Sequence, residues 1–250
     1  MLLCVNVSAI LIDLGGTLVV TPSLPETVRE LAAHPLHKYF SLDSERSALL
    51  GRVIQEEIWA HASRTHDKQL HWIQAWQYGL KRVGLPYSQT LAIVLNETHI
   101  RAMHRRARLY AYTIALLDLF HRRAIPVCLV SNVTGPPHIF DDLLRQYRLL
   151  HLFHSRVWSS AVHFRKPHVA VFQRALASVD LKPQDTIVMV GDDEAQDIQP
   201  ANALGFTSVF VHHGSDTTAK TEASYSVCDS NILTFFGRFL SNRKRLSDCR

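Results

Sequence analysis

The sequence predicts an α/β fold with a doubly wound parallel sheet and a helical insertion. Three observations support this prediction. Short β-branched runs recur along the chain, and each is almost continuously apolar, as in strands covered on both faces. Segments with helical periodicity separate these runs, which is typical of a parallel sheet between helices. One long interval near the start of the chain has helical periodicity throughout.

Four apolar runs are the predicted strands of the sheet. They lie at residues 7–12, 125–130, 186–190 and 207–211. Turn residues bound each run, and a length of five or six residues is usual for a strand. The predicted helices between them lie at residues 112–123, 169–179 and 201–204.

The interval from about residue 20 to 110 has no strand-like run and predicts a helical insertion after the first strand. Four aromatic side chains in it, Trp59, Trp72, Trp76 and Tyr78, have two interpretations. At helical spacing they fill a core between helices, which is the interpretation we favour. The alternative is that they line a ligand pocket.

These patterns divide the chain into three parts. We expect a discontinuous α/β core of residues 1–19 and 110–240 and a helical insertion of residues 20–109. Residues 241–250 form a predicted basic tail.

Composition excludes several classes of protein. The 250 residues include 47% hydrophobic residues and carry a formal charge of +5, which excludes a disordered or fibrous chain. The basic clusters at residues 101–108 and 243–245 lack a nucleic-acid-binding motif, so no nucleic-acid partner is expected. No apolar run reaches the roughly 18 residues of a membrane span. The four cysteines show no metal or disulfide spacing, which favours a cytoplasmic protein.

Polar residues follow the predicted strands at four places. These are Asp13 with Gly15 and Gly16, then Ser131 with Asn132, then Lys166 before a helix start, and finally Asp192, Asp193 and Asp197. Each alone is common turn or capping chemistry. Together they lie at the carboxyl edge of a parallel sheet, where ligands bind in such folds. Carboxylates there suit Mg²⁺, while a hydroxyl and a lysine suit an anion, so the set indicates phosphoryl chemistry.

These residues, in this order, resemble the four motifs of the haloacid dehalogenase-like hydrolase superfamily. The resemblance implies a Rossmann-like core, a helical cap of the first cap class, and a Mg²⁺-dependent phosphatase acting on a small phosphorylated metabolite. It implies that Asp13 is the nucleophile, that Ser131, Asn132 and Lys166 bind the phosphoryl group, and that Lys166 and Ser131 stabilise its transfer. The implied metal ligands are Asp13, the Gly15 carbonyl and Asp192. Asp197 would orient these ligands, and Asp193 is an alternative ligand.

One position departs from the superfamily pattern. The pattern has a second Asp two residues after the nucleophile, where it acts as general acid and base, and this chain has Gly15. Three outcomes follow: a phosphatase that is slow or limited to good leaving groups, an acid supplied by a cap histidine, or a phosphate-binding or regulatory protein without turnover. The superfamily's dehalogenase branch also has another residue at this position. The sequence makes no prediction of substrate identity or oligomeric state.

Overall fold

A six-stranded parallel sheet forms the centre of the molecule in a computed structural model of the chain. The structure describes residues 7–20, 22, 24–29, 43–182, 184–214 and 220–241. The strand order is β5-β4-β1-β6-β7-β8, and every neighbouring pair is parallel. Helices flank this sheet, so the α/β Rossmann-like fold predicted from the sequence is confirmed.

The elements follow in chain order. The strands are β1 (Val7–Ile12), β2 (Val19–Val20), β3 (Arg108–Leu109), β4 (Val127–Ser131), β5 (Ser155–Trp158), β6 (Thr186–Gly191), β7 (Thr207–His212) and β8 (Tyr225–Cys228). The helices are α1 (Leu24–Arg29), α2 (Ser44–Arg64), α3 (Trp72–Arg82), α4 (Gln89–Arg106), α5 (Thr113–Arg122), α6 (Pro137–Gln146), α7 (Val169–Leu176), α8 (Gln199–Ala203) and α9 (Ile232–Ser241). A π-helical turn, Glu194–Ile198, precedes α8.

The four predicted strands correspond to β1, β4, β6 and β7. Strands β5 and β8, the two edge strands of the sheet, were not predicted from the sequence. Both begin with partly exposed residues, so they lack the continuous apolar run that marks a central strand. The prediction of no strand between about residues 20 and 110 was wrong at its ends, because β2 and β3 pair there as a short antiparallel ribbon.

Apolar side chains pack on both faces of the sheet. On one face, Ile10 and Ile12 of β1 pack with Phe120 of α5 and Phe236 of α9. On the other face, Leu11 of β1 packs in a cluster that includes Phe172 of α7. Consecutive residues of β1 thus enter opposite layers, as the two-residue period of a strand requires.

Helices α1–α4, here called the cap helices, lie between β2 and β3 in the chain. Their apolar residues form a cluster of their own around Trp76, which is fully buried. Trp72 packs against this cluster, whereas Trp59 and Tyr78 are exposed by 46% and 39%. The helix-core interpretation therefore holds for Trp76 and Trp72 but not for Trp59 and Tyr78. Within the described ranges, no helix is both long and apolar enough to cross a bilayer.

Some predicted features lie outside the described residues. They include the basic tail beyond Ser241 and the cysteines Cys4 and Cys249. Of the two described cysteines, Cys128 is buried and Cys228 is partly exposed, and neither forms a disulfide.

Two helical glycines give a matched test of cap packing. A Cβ atom at Gly79 in α3 would lie 2.5 Å from Cγ1 of Ile54 and 2.9 Å from Cδ1 of Leu50, whereas one at Gly237 in α9 would meet open space. We expect Gly79→Ala to destabilise the protein by about 1–3 kcal/mol through overpacking. Gly237→Ala should stabilise it by about 0.5–1 kcal/mol because alanine loses less backbone entropy. Urea unfolding measures both changes, and equal effects would contradict the helix packing described here.

Candidate active site

Strand register brings three of the predicted residues together. Ile12 of the central strand β1 pairs with Leu129 of β4 and with Val190 of β6. Asp13 directly follows Ile12, and Ser131 and Asp192 lie two residues beyond Leu129 and Val190. The three residues are therefore neighbours at the carboxyl edge of the sheet. The backbone N–H of Asp13 donates to the Val190 carbonyl at 3.0 Å, which holds the end of β1 against β6.

Lys166 links the first and fourth of these polar segments. Its Nζ lies 2.5 Å from Oδ1 of Asp13 and 2.6 Å from Oδ1 of Asp197, and all three side chains are buried. Burial alone would lower the pKa of Lys166, but the two carboxylates outweigh it and raise the pKa. The lysine is therefore a permanently charged ammonium directly beside Asp13.

Asp192 is held by the loop that follows Asp13. Thr17 donates its hydroxyl to Oδ1 of Asp192 at 2.9 Å. A Cβ at Gly16, where φ is +84°, would lie 2.0 Å from Oδ2 of Asp192, so only glycine permits this approach. Burial and the negative charge of Asp13 raise the pKa of Asp192 to about 6.

The carboxylates of Asp13, Asp192 and Asp197 form one cluster. One oxygen from each lies within 4.8 Å of the others. Burial raises the pKa of Asp197, and the nearby charges of Asp13 and Asp192 raise it further. The ion pair with Lys166 offsets only part of this effect. One ammonium cannot balance three carboxylates, so the cluster suits a hard divalent cation bound by oxygen.

Asp193 is engaged elsewhere. Its Oδ1 accepts from the backbone N–H groups of Ala195 and Gln196, which caps the π-helical turn, and its Oδ2 accepts from the Gln196 side chain. A side chain used in this way is poorly placed as a metal ligand, so the geometry favours Asp192 over Asp193.

Asn132 positions the lysine segment. Its Oδ1 accepts from the backbone N–H of Lys166 at 2.9 Å, and its Nδ2 donates to the Lys166 carbonyl and to Gln196. The side chain is thus occupied by the protein, and only the Asn132 backbone is left for the predicted contact with substrate. The Ser131 hydroxyl differs, because it makes no hydrogen bond to another described residue and faces the cavities.

Two cavities at the site share part of their lining. The polar cavity, of about 440 Å³, contains Asp13, Ser131, Lys166 and the other site carboxylates. The apolar cavity, of about 220 Å³, lies between the cap helices and the core. Both are lined by Gly15, Trp59, Ser131, Asn132 and Arg165.

The cap histidines offer little acid near Gly15. His99 lines the apolar cavity, but burial and the nearby His104 lower its pKa to about 3. It is therefore neutral at pH 7 and a weak proton donor. His104 is buried beside Phe140, and His71 caps α3. The hypothesis of a cap histidine acid thus gains no support from His99, His104 or His71.

Three residues outside the four polar segments contact the site. Trp59 and Arg165 line both cavities, with the Arg165 guanidinium carbon 5.2 Å from the centre of the Trp59 ring. The pocket-lining alternative for the aromatic residues therefore holds for Trp59. His213 contacts the Gly16 carbonyl at 2.5 Å and Asp229 at 3.1 Å, so it braces the loop after Asp13. Arg165 was not predicted as a site residue, because no sequence pattern marks its contact with Trp59.

The family model for haloacid dehalogenase-like hydrolases matches residues 7–205. The chain therefore belongs to the haloacid dehalogenase-like (HAD) hydrolase superfamily. The matched range contains all four polar segments of the site.

Solved structures of similar fold include enzymes of different chemistry. A HAD phosphatase from Thermococcus onnurineus is 18% identical, with a TM-score of 0.63 and coverage of 92% of this chain and 98% of that one. A protein assigned as a HAD-hydrolase, from Bacillus subtilis and bound to magnesium, is 17% identical (TM-score 0.64; 94% and 99% covered). L-2-haloacid dehalogenase from Xanthobacter autotrophicus is 16% identical (TM-score 0.63; 93% and 99% covered). No curated protein matches the sequence.

The raised pKa of Asp192 predicts a pH-dependent stability of the metal-free protein. A folded-state pKa of about 6, against 3.8 unfolded, means that the folded protein loses stability as pH rises from about 4 to 6. Asp192→Asn removes the buried charge and its repulsion from Asp13 and keeps the acceptor for Thr17. We expect it to raise the free energy of unfolding by about 1–3 kcal/mol at pH 8 in EDTA, with a much smaller effect at pH 4. Asp118→Asn, at a half-exposed carboxylate on α5, is the control. A pH-independent effect of Asp192→Asn would contradict the cost of the buried charge.

Proposed function

We propose that this chain is a Mg²⁺-dependent phosphatase that acts on a small phosphorylated metabolite through Asp13. The observation that carries the proposal is the buried contact of Asp13 with Lys166, beside a cluster of three carboxylates. A nucleophilic carboxylate, a fixed cation and a site for a second cation are the parts that phosphoryl transfer needs.

The carboxylate cluster fits a magnesium ion. Asp13, Asp192 and the Gly15 carbonyl are the groups that would hold it, as the superfamily resemblance implies, while Lys166 stays paired with both Asp13 and Asp197. Burial and the negative charge of Asp13 raise the pKa of Asp192, and a bound cation would offset both effects. When bound, Mg²⁺ offsets negative charge on the nucleophile and on the phosphoryl oxygens.

The protein groups then have separate roles. Asp13 forms a bond to phosphorus as the bond from phosphorus to the leaving oxygen breaks, which gives a phosphoaspartate. Water then attacks this phosphorus, releases phosphate and restores the Asp13 carboxylate. Lys166 stabilises negative charge on the phosphoryl oxygens, and Ser131 donates a hydrogen bond to them.

Gly15 limits this reaction at the leaving group. No carboxylic acid is among the described residues that line the apolar cavity. The departing oxygen therefore gains no proton from the protein on that side. General acid catalysis is typically worth a factor of about 10²–10⁴, so leaving groups that are stable as anions suffer least. We accordingly propose a preference for aryl, acyl or anomeric phosphates.

Two other functions compete with this one. Gly15 favours a phosphate-binding or regulatory protein without turnover, and the fold is shared with haloacid dehalogenases. A dehalogenase nucleophile attacks carbon and forms a carboxylate ester, a step that does not call for two further carboxylates close by. The cluster therefore favours phosphoryl transfer over dehalogenation.

Hydrolysis of 4-nitrophenyl phosphate tests the proposed function. We expect activity that EDTA removes and MgCl₂ restores, and a loss of at least about 10³-fold in kcat for Asp13→Asn. Asp118→Asn is the matched control, since it removes a half-exposed carboxylate on α5 that lines neither cavity. Equal rates for wild type and Asp13→Asn would exclude the phosphatase, and binding of phosphate without turnover would then support the binding protein. Turnover of 2-chloropropionate by the wild type would instead support the dehalogenase.

The leaving-group preference has its own test. Gly15→Asp should raise hydrolysis of an alkyl ester such as glycerol 2-phosphate by about 10² or more and change 4-nitrophenyl phosphate far less. Gly15→Asn has nearly the same size without the acid, so it separates proton transfer from shape. A uniform effect of Gly15→Asp on both esters would show that residue 15 does not govern protonation of the leaving group.

A further inference from the structure

Arg165 brings a buried positive charge to the site that the reaction above does not use. The residue is only 7% exposed. Within the part of the chain that the structure describes, its guanidinium forms neither a hydrogen bond nor an ion pair. Asp67 attracts it only at longer range, and burial lowers the pKa of Arg165 to about 10. A buried charge without a partner is costly, which indicates a partner from outside the protein.

The protein holds this arginine rigidly. The backbone N–H of Arg165 donates to the Asp67 carbonyl, and the N–H of Gln69 donates to the His163 carbonyl, both at 2.9 Å. These bonds join the segment before Lys166 to the loop between α2 and α3 of the cap helices. The guanidinium carbon lies 5.2 Å from the centre of the Trp59 ring of α2, within the range of a cation–π contact. The arginine is therefore placed by both the core and the cap helices.

Arg165 also lies where a substrate would extend. It lines both cavities, as do Gly15 and Ser131. A phosphoryl group at Asp13 occupies the polar cavity. The rest of such a molecule would extend into the adjoining apolar cavity beside Arg165.

We propose that Arg165 binds a carboxylate of the substrate, so that the substrate class is a phosphorylated carboxylic acid. The inference rests on the proposed function for the phosphoryl end of the molecule. The carbon chain between the two anionic groups would lie against the apolar wall formed by residues such as Ile58, Ile100 and Met103.

A carboxylate is the anion that best fits these surroundings. The guanidinium makes no hydrogen bond to a described residue, so its N–H groups remain available, and their planar fork matches the two oxygens of a carboxylate. One arginine balances the single charge of a carboxylate. A second phosphate group would bring up to two negative charges into a small cavity that has no other cation among its described lining residues.

Binding of non-hydrolysable phosphonates tests this inference. The probes are 3-phosphonopropionate, its carboxamide analogue and propane-1,3-bisphosphonate, titrated into the 250-residue chain with MgCl₂ in a calorimeter. We expect the carboxylate to bind at least tenfold more tightly than the neutral carboxamide. Equal affinities, or no detectable binding of 3-phosphonopropionate, would overturn the inference, and tightest binding of the bisphosphonate would overturn the choice of a carboxylate.

Three variants test whether the preference comes from Arg165. Arg165→Met keeps an unbranched side chain under Trp59 and should abolish the tenfold preference while leaving the affinity for the carboxamide nearly unchanged. Arg174→Met, at an exposed position on α7, removes the same charge and should keep the preference. Arg165→Lys should retain part of it. A preference that persists in folded Arg165→Met would contradict the inference, and if that variant does not fold, the comparison of probes on the wild type still decides.

Failure of this inference and failure of the proposed function give different results. If the wild type hydrolyses 4-nitrophenyl phosphate through Asp13 but binds 3-phosphonopropionate no more tightly than its carboxamide, only the inference about Arg165 is wrong. If the carboxylate preference depends on Arg165 but no phosphate ester is hydrolysed, the anion site stands and the phosphatase does not.

Discussion

The site depends on three carboxylates that share one ammonium at the end of a buried sheet. Asp13, Asp192 and Asp197 converge although burial and mutual repulsion oppose it, as the raised pKa values of Asp192 and Asp197 show. Lys166 offsets part of this charge, and the rest of the arrangement is enforced by packing. A Cβ at Gly191 would lie 2.4 Å from Oδ2 of Asp197, so glycine next to the carboxylate is as necessary here as it is at residue 16. A cluster held together against its own charge is the expected form of a cation site.

Much of this could be predicted from the sequence, because strands and site share one signal. A central strand is a continuous apolar run, and the first polar residue after it marks the edge where Asp13, Ser131 and Asp192 meet. The edge strands β5 and β8 lack that signal because the first two residues of each are partly or fully exposed. The contact between Arg165 and Trp59 could not be predicted, since it depends on pairing between residues 163–165 and 67–69, about a hundred residues apart.

Asn132, Gln196 and Asp193 show how the site is kept in place without taking part in it. Asp193 caps the turn after β6 and accepts from Gln196, which in turn accepts from Asn132, and Asn132 holds the backbone of Lys166. The chain of bonds joins the loops after β6, β4 and β5 at fixed spacing. From sequence alone, Asn132 and Asp193 are polar residues at strand ends and look like ligands, because a pattern shows where a side chain is but not what it already binds.

The absence of an acid at residue 15 bears on both ends of the proposed substrate. Gly15 lines both cavities, and as glycine it offers no proton donor to a leaving group there. His99 does not restore the acid, since its buried imidazole is neutral. In the proposed function, the reaction therefore lacks assistance to the leaving group. Binding energy from the far end of the proposed substrate, at Arg165, would hold the phosphoryl group against Asp13 and offset part of the missing acid catalysis.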